Sequence, residues 1–214
     1  RIIEPGRQER EVAIEIDASL RSAGFERPAF DTIVASGPNS ALPHAQPSAR
    51  LFTEGDIVLL DFGGVLDGYC VDLSRVATIG TPSEVARRLH SAVKAAQDAA
   101  IAAVRPGVWA SDVDGAARRV LEESGLGEAF AHGTGHGLGL EIHEDPRISK
   151  RDSDHERAIA AGADVLLAPG MVFTVEPGAY EPGQGGVRIE DDVLVTDEGS
   201  ELLTEVSRDL WVQS

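Results

Sequence analysis

The chain has 214 residues, a size suited to one large domain or two small ones. Lys and Arg total 19 against 36 Asp and Glu, a formal charge of −17, which excludes a basic face for nucleic acid or for anionic membrane. Hydrophobic residues at 42% are enough for a core and no apolar run is long enough to cross a bilayer, while the lone Cys70 excludes an intrachain disulfide and, with no leader pattern in view, sets the expectation of a cytoplasmic protein.

Val12, Ile16 and Leu20 recur every four residues between Gln8 and Ala23, and Gly24 follows, which predicts an amphipathic helix with a glycine stop. Thr32 to Ala35 reads as a short strand. The loop from Ser36 to Pro47 is rich in Gly, Pro, Asn and Ser and carries His44. Ile57 to Phe62 is an apolar run ending on Asp61, and Tyr69 to Ile79 reads as its returning partner across a glycine turn. Thr81-Pro82-Ser83-Glu84 predicts a helix start with Thr81 as cap, running to about Val104. Ser111 is placed as the cap of a further helix that ends near Gly125. Lys150 to Ala163 is charged, without a clear period. Met171 to Glu176 is a second apolar run ending on an acid, and Val187 to Thr196 returns from a glycine-rich loop. No Pro/Ser-rich linker divides the chain, so residues 1–214 are read as a single domain.

The two apolar runs echo each other. Gly55 to Asp61 and Gly170 to Glu176 each place Gly first and an acid seventh, and each is followed by a strand with a second acid, Asp72 and Glu190. Two such hairpins facing across a pseudo-two-fold axis bring four carboxylates together, a charge that one or two divalent cations neutralise. The bland alternative is four surface acids on strands of an acidic chain. Between the echoes, His132, His136 and His143 fall within twelve residues, among glycines at 133, 135, 137 and 139. Imidazole is the usual nitrogen ligand of a metal. Glycines let the backbone approach something closely. The alternative there is a glycine-rich strand with exposed His. The order is not His-Glu-x-x-His, so the helical zinc-protease arrangement does not apply.

The motifs Gly37-Pro38-Asn39-Ser40-Ala41-Leu42-Pro43-His44, Asp61-Phe62-Gly63, Tyr69-Cys70-Val71-Asp72, His132-Gly133-Thr134-Gly135-His136-Gly137, Ile142-His143-Glu144, Val175-Glu176-Pro177-Gly178 and Gly186-Val187-Arg188-Ile189-Glu190-Asp191 occur in one order. In that order the chain resembles the pita-bread-fold metallopeptidases, in the branch of Xaa-Pro aminopeptidases and prolidases. The resemblance implies an α+β fold: a curved antiparallel sheet in two pseudo-two-fold halves with flanking helices. It implies two divalent metal ions held by Asp61, Asp72, His136, Glu176 and Glu190, with Asp72 and Glu190 bridging. Manganese is the expected ion, with cobalt, zinc and iron as alternatives for an oxygen-rich set with one imidazole.

The implied reaction is hydrolysis of the bond between an N-terminal residue and proline by a metal-bridging hydroxide. Glu176 is then the proton shuttle, His143 steadies the tetrahedral intermediate, His44 lies near the leaving proline, His132 binds substrate and Arg188 supports the site. The expected partners are a small peptide with proline second and a second copy in a homodimer, with no nucleic acid and no membrane.

Three departures stand out. The N-terminal domain usual in this branch is absent from the chain. The stretch from Ser149 to Leu167 is longer than usual and is read as an insertion at the rim of the site. Ser74 stands where Thr is common. Rival readings are a methionine aminopeptidase-type enzyme with the same five ligands and a non-catalytic binding module; the presence of all five ligands argues against the second.

Overall fold

The computed structural model describes residues 2–213. Helix α1 (Glu9–Ser22) buries Val12, Ala13, Ile16 and Leu20, the face its four-residue recurrence predicts. Strands β1 (Arg27–Pro28) and β2 (Ile33–Ser36) follow, then a 3-10 turn at Gly37–Ala41 at the start of the loop that carries His44. Strand β3 (Ile57–Phe62) leads through a small hairpin, β4 (Gly64–Leu66) and β5 (Tyr69–Cys70), to β6 (Leu73–Ile79). The single returning strand expected over 69–79 is therefore two pieces, and Val71 and Asp72 lie between them.

Helices α2 (Glu84–Ala103) and α3 (Ala110–Glu123) form the next layer. Their caps differ from expectation. Ser83, not Thr81, caps α2, because its hydroxyl is the one that accepts from Ala86 N–H, at 3.1 Å. Trp109 holds the cap position of α3, and Ser111 sits inside the helix with its N–H given to Asp164. Strands β7 (Gly135–Gly137) and β8 (Glu144–Ile148) precede α4 (His155–Ala160), a short helix within the stretch expected to be irregular; Asp154 caps it. The chain ends with β9 (Val172–Val175), β10 (Gly178–Glu181), β11 (Gly185–Arg188), β12 (Asp191–Val195), β13 (Ser200–Leu202) and β14 (Trp211–Gln213).

Two larger sheets carry the fold, in the orders β13-β12-β9-β7-β8 and β14-β6-β3-β2. Pairing is antiparallel except where β14 runs parallel to β6. Strand β3 is buried on both faces, and alternation sorts its residues. Val58 and Leu60 pack with α1, while Ile57 and Leu59 join the core beneath α2 and α3. Asp61 continues the second set. In β9, Phe173 and Val175 enter that core, which turns Thr174 and Glu176 to the other side.

Both echoed hairpins are present, with different registers: Asp61 pairs with Ser74 in the first, and Val175 pairs with Asp191 in the second. Strand β3 pairs with β6, and β9 with β12. In each hairpin the acids sit at one end: Asp61 and Asp72 in the first, Glu176 and Glu190 in the second. The halves join reciprocally. Asp72 N–H donates to the Asp192 carboxylate at 3.1 Å, and Glu190 N–H donates to the Ser74 carbonyl at 3.2 Å. Each link runs from an acid to the residue two beyond its counterpart, to a side-chain carboxylate in one case and a backbone carbonyl in the other.

A buried ion pair locks the same junction from behind. The Arg75 guanidinium donates to the carbonyls of Ser74 and Glu190, to Asp191 Oδ1 at 2.6 Å, and to the carbonyls of Val206 and Ser207. Gln97 reaches in from α2 to Asp191 Oδ2 and to the Val175 carbonyl. Arg75→Met leaves the Asp191 carboxylate buried without its countercharge, and the expected loss of stability is about 3–5 kcal/mol. Urea unfolding checks this. Arg151→Ala, which breaks an exposed pair with Asp112, is the comparison and should leave the midpoint nearly unchanged.

Candidate metal centre

The strand ends converge on one cavity of about 330 Å³. Asp61, Asp72, His136, Glu176 and Glu190 line it, and so do His44, His132, His143 and Arg188. The glycines around His136 serve sheet packing at this point. A Cβ on Gly135 would meet the Thr174 carbonyl at 1.8 Å, and one on Gly137 the Asp145 carbonyl at 2.3 Å. Only glycine lets β7 press between β8 and β9 and carry His136 to the acids.

Ligand atoms of Asp72, His136 and Glu190 lie within 4.8 Å of one another. His136 Nε2 is 3.6 Å from Glu176 Oε1 and 3.8 Å from Asp72 Oδ2. Its Nδ1 is 3.0 Å from the Gly137 carbonyl, which only a protonated Nδ1 satisfies. The lone pair on Nε2 is thereby left facing the carboxylates, the arrangement of a metal-binding imidazole. Asp61 Oδ1 and Asp72 Oδ1 are buried without any hydrogen-bond partner. Such orphaned oxygens are costly unless something cationic takes them. This donor set fits divalent metal ions.

Burial raises Glu176 to about 7 against the opposing pull of Arg188. Burial, then the neighbouring carboxylates, raises Asp72 and Glu190 well above the usual range. Arg188 is buried among them. Burial opposes its charge, but Tyr180, Asp61, Glu176 and Glu190 outweigh burial and hold it protonated. It pairs with Asp61 Oδ2, donates to Tyr180 Oη at 2.8 Å and donates to Ser74 Oγ at 3.0 Å; Ser74 Oγ in turn donates to Glu190 Oε2 at 2.6 Å. The hydroxyl that Ser74 keeps in place of Thr is thus used.

His132, which the resemblance makes a substrate-binding residue, is held by hydrogen bonds within the protein. Its Nδ1 is 2.8 Å from the Gly133 carbonyl and its Nε2 is 2.9 Å from Tyr180 Oη. Tyr180 accepts from Arg188, so its own proton goes to His132 Nε2 and both ring nitrogens are occupied. Burial lowers His132 to about 4, so the ring is neutral and presents a face rather than a nitrogen to the cavity. Helix α3 holds this stretch: Asp114 accepts from Thr134 N–H at 3.0 Å, and Arg118 donates to the His132 carbonyl at 2.6 Å.

His143 stands edge-on to His136, ring centres 4.4 Å apart, and is exposed at the mouth with His44. Two residues that sequence reasoning passed over also belong here. Tyr180 links His132 to Arg188. Arg147 lines the cavity, opposite His136 in the β7–β8 register; its signal was the period-two placement on β8. Cys70 faces away, into a second cavity of about 600 Å³ with Asp192 and Met171. Outside the cavity, His90 is buried with Nε2 3.0 Å from the Arg208 carbonyl, and the half-buried His155 pairs with Asp164 at 2.7 Å.

The raised carboxylates give a sign to test. An unfolded carboxyl titrates near about 4, whereas Glu176 titrates near 7. The metal-free folded chain holds protons that the unfolded chain has released, so this contribution to stability is lost as pH rises from about 4 to 7. A divalent ion binds the ionised site and restores it. Urea midpoints in chelator and in manganese should diverge as pH rises from 5 to 8. A gap that stays constant would show that these carboxylates do not ionise together with metal binding.

Residues 1–197 match the model of metallopeptidase family M24. The Xaa-Pro dipeptidase of Pyrococcus furiosus is 44% identical over 208 residues, covering 97% of this chain and 57% of that protein. The structure of an X-Pro aminopeptidase from Thermotoga maritima is 42% identical, with a TM-score of 0.91 over 99% of this chain and 57% of that one. Dipeptidase PepE from Mycobacterium ulcerans is 44% identical, with a TM-score of 0.90 over 99% of this chain and 54% of that one. The chain thus spans just over half the length of the curated relatives it matches, and its architecture of paired hairpins and flanking helices is the pita-bread fold. This chain belongs to metallopeptidase family M24.

Proposed function

We propose that the chain carries the catalytic machinery of a dinuclear Xaa-Pro peptidase. The observation that carries this reading is the convergence of five metal-type donors, two with orphaned oxygens, on a cavity that also holds His44, His143 and Arg188. Asp61, Asp72, His136, Glu176 and Glu190 would hold two divalent ions. Two divalent ions, when bound, supply Lewis acidity to the scissile carbonyl and a water that is nucleophilic at neutral pH. Manganese suits this oxygen-rich set with a single imidazole.

The chain's own residues do the rest. Glu176 accepts a proton from the attacking water and returns it to the leaving nitrogen. His143 donates a hydrogen bond to the oxygen of the tetrahedral intermediate. His44 stands beside the leaving proline. His132 contributes a ring face, and its link through Tyr180 keeps Arg188 aimed at Asp61. A cavity of about 330 Å³ suits a small peptide. Arg147 has no ion-pair partner among the described residues and offers a cation to the free carboxylate of a dipeptide. The names of the Pyrococcus and Mycobacterium relatives, Xaa-Pro dipeptidase and dipeptidase, support the same substrate class.

The test is cleavage of an Xaa-Pro dipeptide, an Xaa-Pro-Xaa tripeptide and Met-Ala-Xaa, followed by mass spectrometry in manganese and in chelator. Manganese-dependent cleavage before proline is expected, with the dipeptide preferred. Cleavage of the Met peptide alone would move the chain to the methionine aminopeptidase reading. Asp72→Ala and Glu190→Ala should each lose bound metal, measured by elemental analysis; full metal content in both overturns the ligand assignment. His143→Ala should retain metal and lose about 100- to 1000-fold in turnover. Arg147→Ala should raise KM for the dipeptide more than for the tripeptide, and an equal rise would remove it from carboxylate binding.

A further inference from the structure

The loop from Gly37 to Pro47 brings His44 to the cavity, yet it is rich in residues that by themselves hold no shape. Both of its ends are fastened to one side chain. Glu9, in the first turn of α1, is fully buried. Its Oε1 accepts from Ser36 N–H at 2.7 Å, from Ser36 Oγ at 2.7 Å and from Asn39 Nδ2 at 3.1 Å. Its Oε2 accepts from Asn39 Nδ2 at 3.1 Å, from Ser48 N–H at 3.0 Å and from Ser48 Oγ at 2.6 Å. Ser36 and Ser48 are the residues just before and just after the loop, and Asn39 lies within it.

No cation makes a salt bridge to Glu9 among the described residues, so these donors alone satisfy a buried carboxylate. Arg50 works one shell out: it donates to Ser36 Oγ at 2.7 Å and is itself held by both oxygens of Asp56. On the cavity side the loop has two lighter contacts. Gly186 N–H donates to Ser40 Oγ at 2.9 Å, and Arg188 donates to the Pro43 carbonyl at 3.3 Å. Those contacts dock the loop against the metal-bearing strands, and Glu9 sets where it starts and ends.

We propose that Glu9 is a positioning residue for the reaction: it acts through the loop to fix His44 beside the metal centre, and it touches neither metal nor substrate. This rests on the reading of His44 as an active-site residue. Glutamine is the sharpest probe. It keeps size and shape but turns one acceptor into an NH₂ group. The Ser36 and Ser48 hydroxyls can rotate to accept, whereas their backbone N–H groups cannot, so the amide meets a donor it cannot satisfy.

The experiment uses the manganese-loaded chain as wild type, Glu9→Gln, His44→Ala and the double variant. Glu9→Gln should bind metal at the wild-type stoichiometry, exchange amide hydrogens faster in 37–47, and lose about 10- to 100-fold in kcat/KM on an Xaa-Pro dipeptide. The double variant should be no slower than His44→Ala alone, since the two changes disable one element. Multiplied losses in the double variant, or unchanged exchange in the loop, overturn the proposal. A general folding defect would instead lower metal content and kcat together. Should Glu9→Gln fail to fold, Asn39→Ala removes a donor from the loop side and should give smaller changes in the same directions; no change in exchange there overturns the proposal equally. If His44→Ala retains full turnover, the reading of His44 falls, and loop exchange alone decides whether Glu9 is the clamp.

Discussion

Four carboxylates pressed together out of water are the condition around which this chain is built. At an effective dielectric near 20, two unit charges about 4 Å apart repel by about 4 kcal/mol, and Asp61, Asp72, Glu176 and Glu190 all face one another. A flexible chain would swing them apart. Here each is held at the end of a strand whose backbone is already committed. The reciprocal links between Asp72 and Asp192 and between Glu190 and Ser74 close the two halves on each other. Arg75 with Asp191 bolts the same junction from the core side, where neither charge meets solvent. In the metal-free chain, protons held on Glu176, Asp72 and Glu190 relieve part of this repulsion. Arg188 relieves more by pairing with Asp61 Oδ2, and Asp61 Oδ1 and Asp72 Oδ1 stay without a partner.

The same burial that raises the acids lowers the imidazoles, and the two shifts serve one end. A protonated His136 would add a charge where a metal ligand needs a lone pair. Burial holds its pKa down, and the Gly137 carbonyl fixes the proton on the other nitrogen. His132 is treated likewise, with both nitrogens spent on Gly133 and Tyr180. The buried histidines are thus neutral and immobile. His143 and His44, at the mouth, are exposed.

What could be read from the sequence follows from where each signal is local. Helix α1 was legible because one-sided burial writes a period into consecutive residues, and strands β3 and β9 because burial on both faces leaves an apolar run. The acid pattern was legible because a duplicated hairpin repeats its spacing. The His-Gly stretch was legible as chemistry, although its glycines turned out to serve strand packing. Helix α4 was not legible, since six residues hold less than two turns of period. The choice between Thr81 and Ser83 as cap turned on one hydroxyl, and both fit the local pattern. Glu9 in sequence is an acid in the first turn of an amphipathic helix, and nothing nearby hints that its donors lie 27 to 39 residues further on. Arg75 and Gln97 are hidden for the same reason: their partners come from strands far along the chain. Whatever depends on long-range closure leaves no mark in a window of neighbours.

The site combines two ways of holding a functional group, and they differ in how they tolerate change. The four clustered acids are fixed by strand pairing, by links between the two hairpins and by a buried ion pair. Altering one disturbs a core that stability depends on. His44 is fixed by a loop fastened at its ends, and His132 by a stretch that Asp114 and Arg118 clasp from α3. In both cases one buried carboxylate on a helix gathers backbone N–H groups and hydroxyls from a segment with little structure of its own. Such a clasp fixes the ends of a segment while leaving its middle free to vary in length and side chain. The carboxylates and His136 are thereby anchored in the sheets, and the cavity walls that carry His44 and His132 are hung from helices.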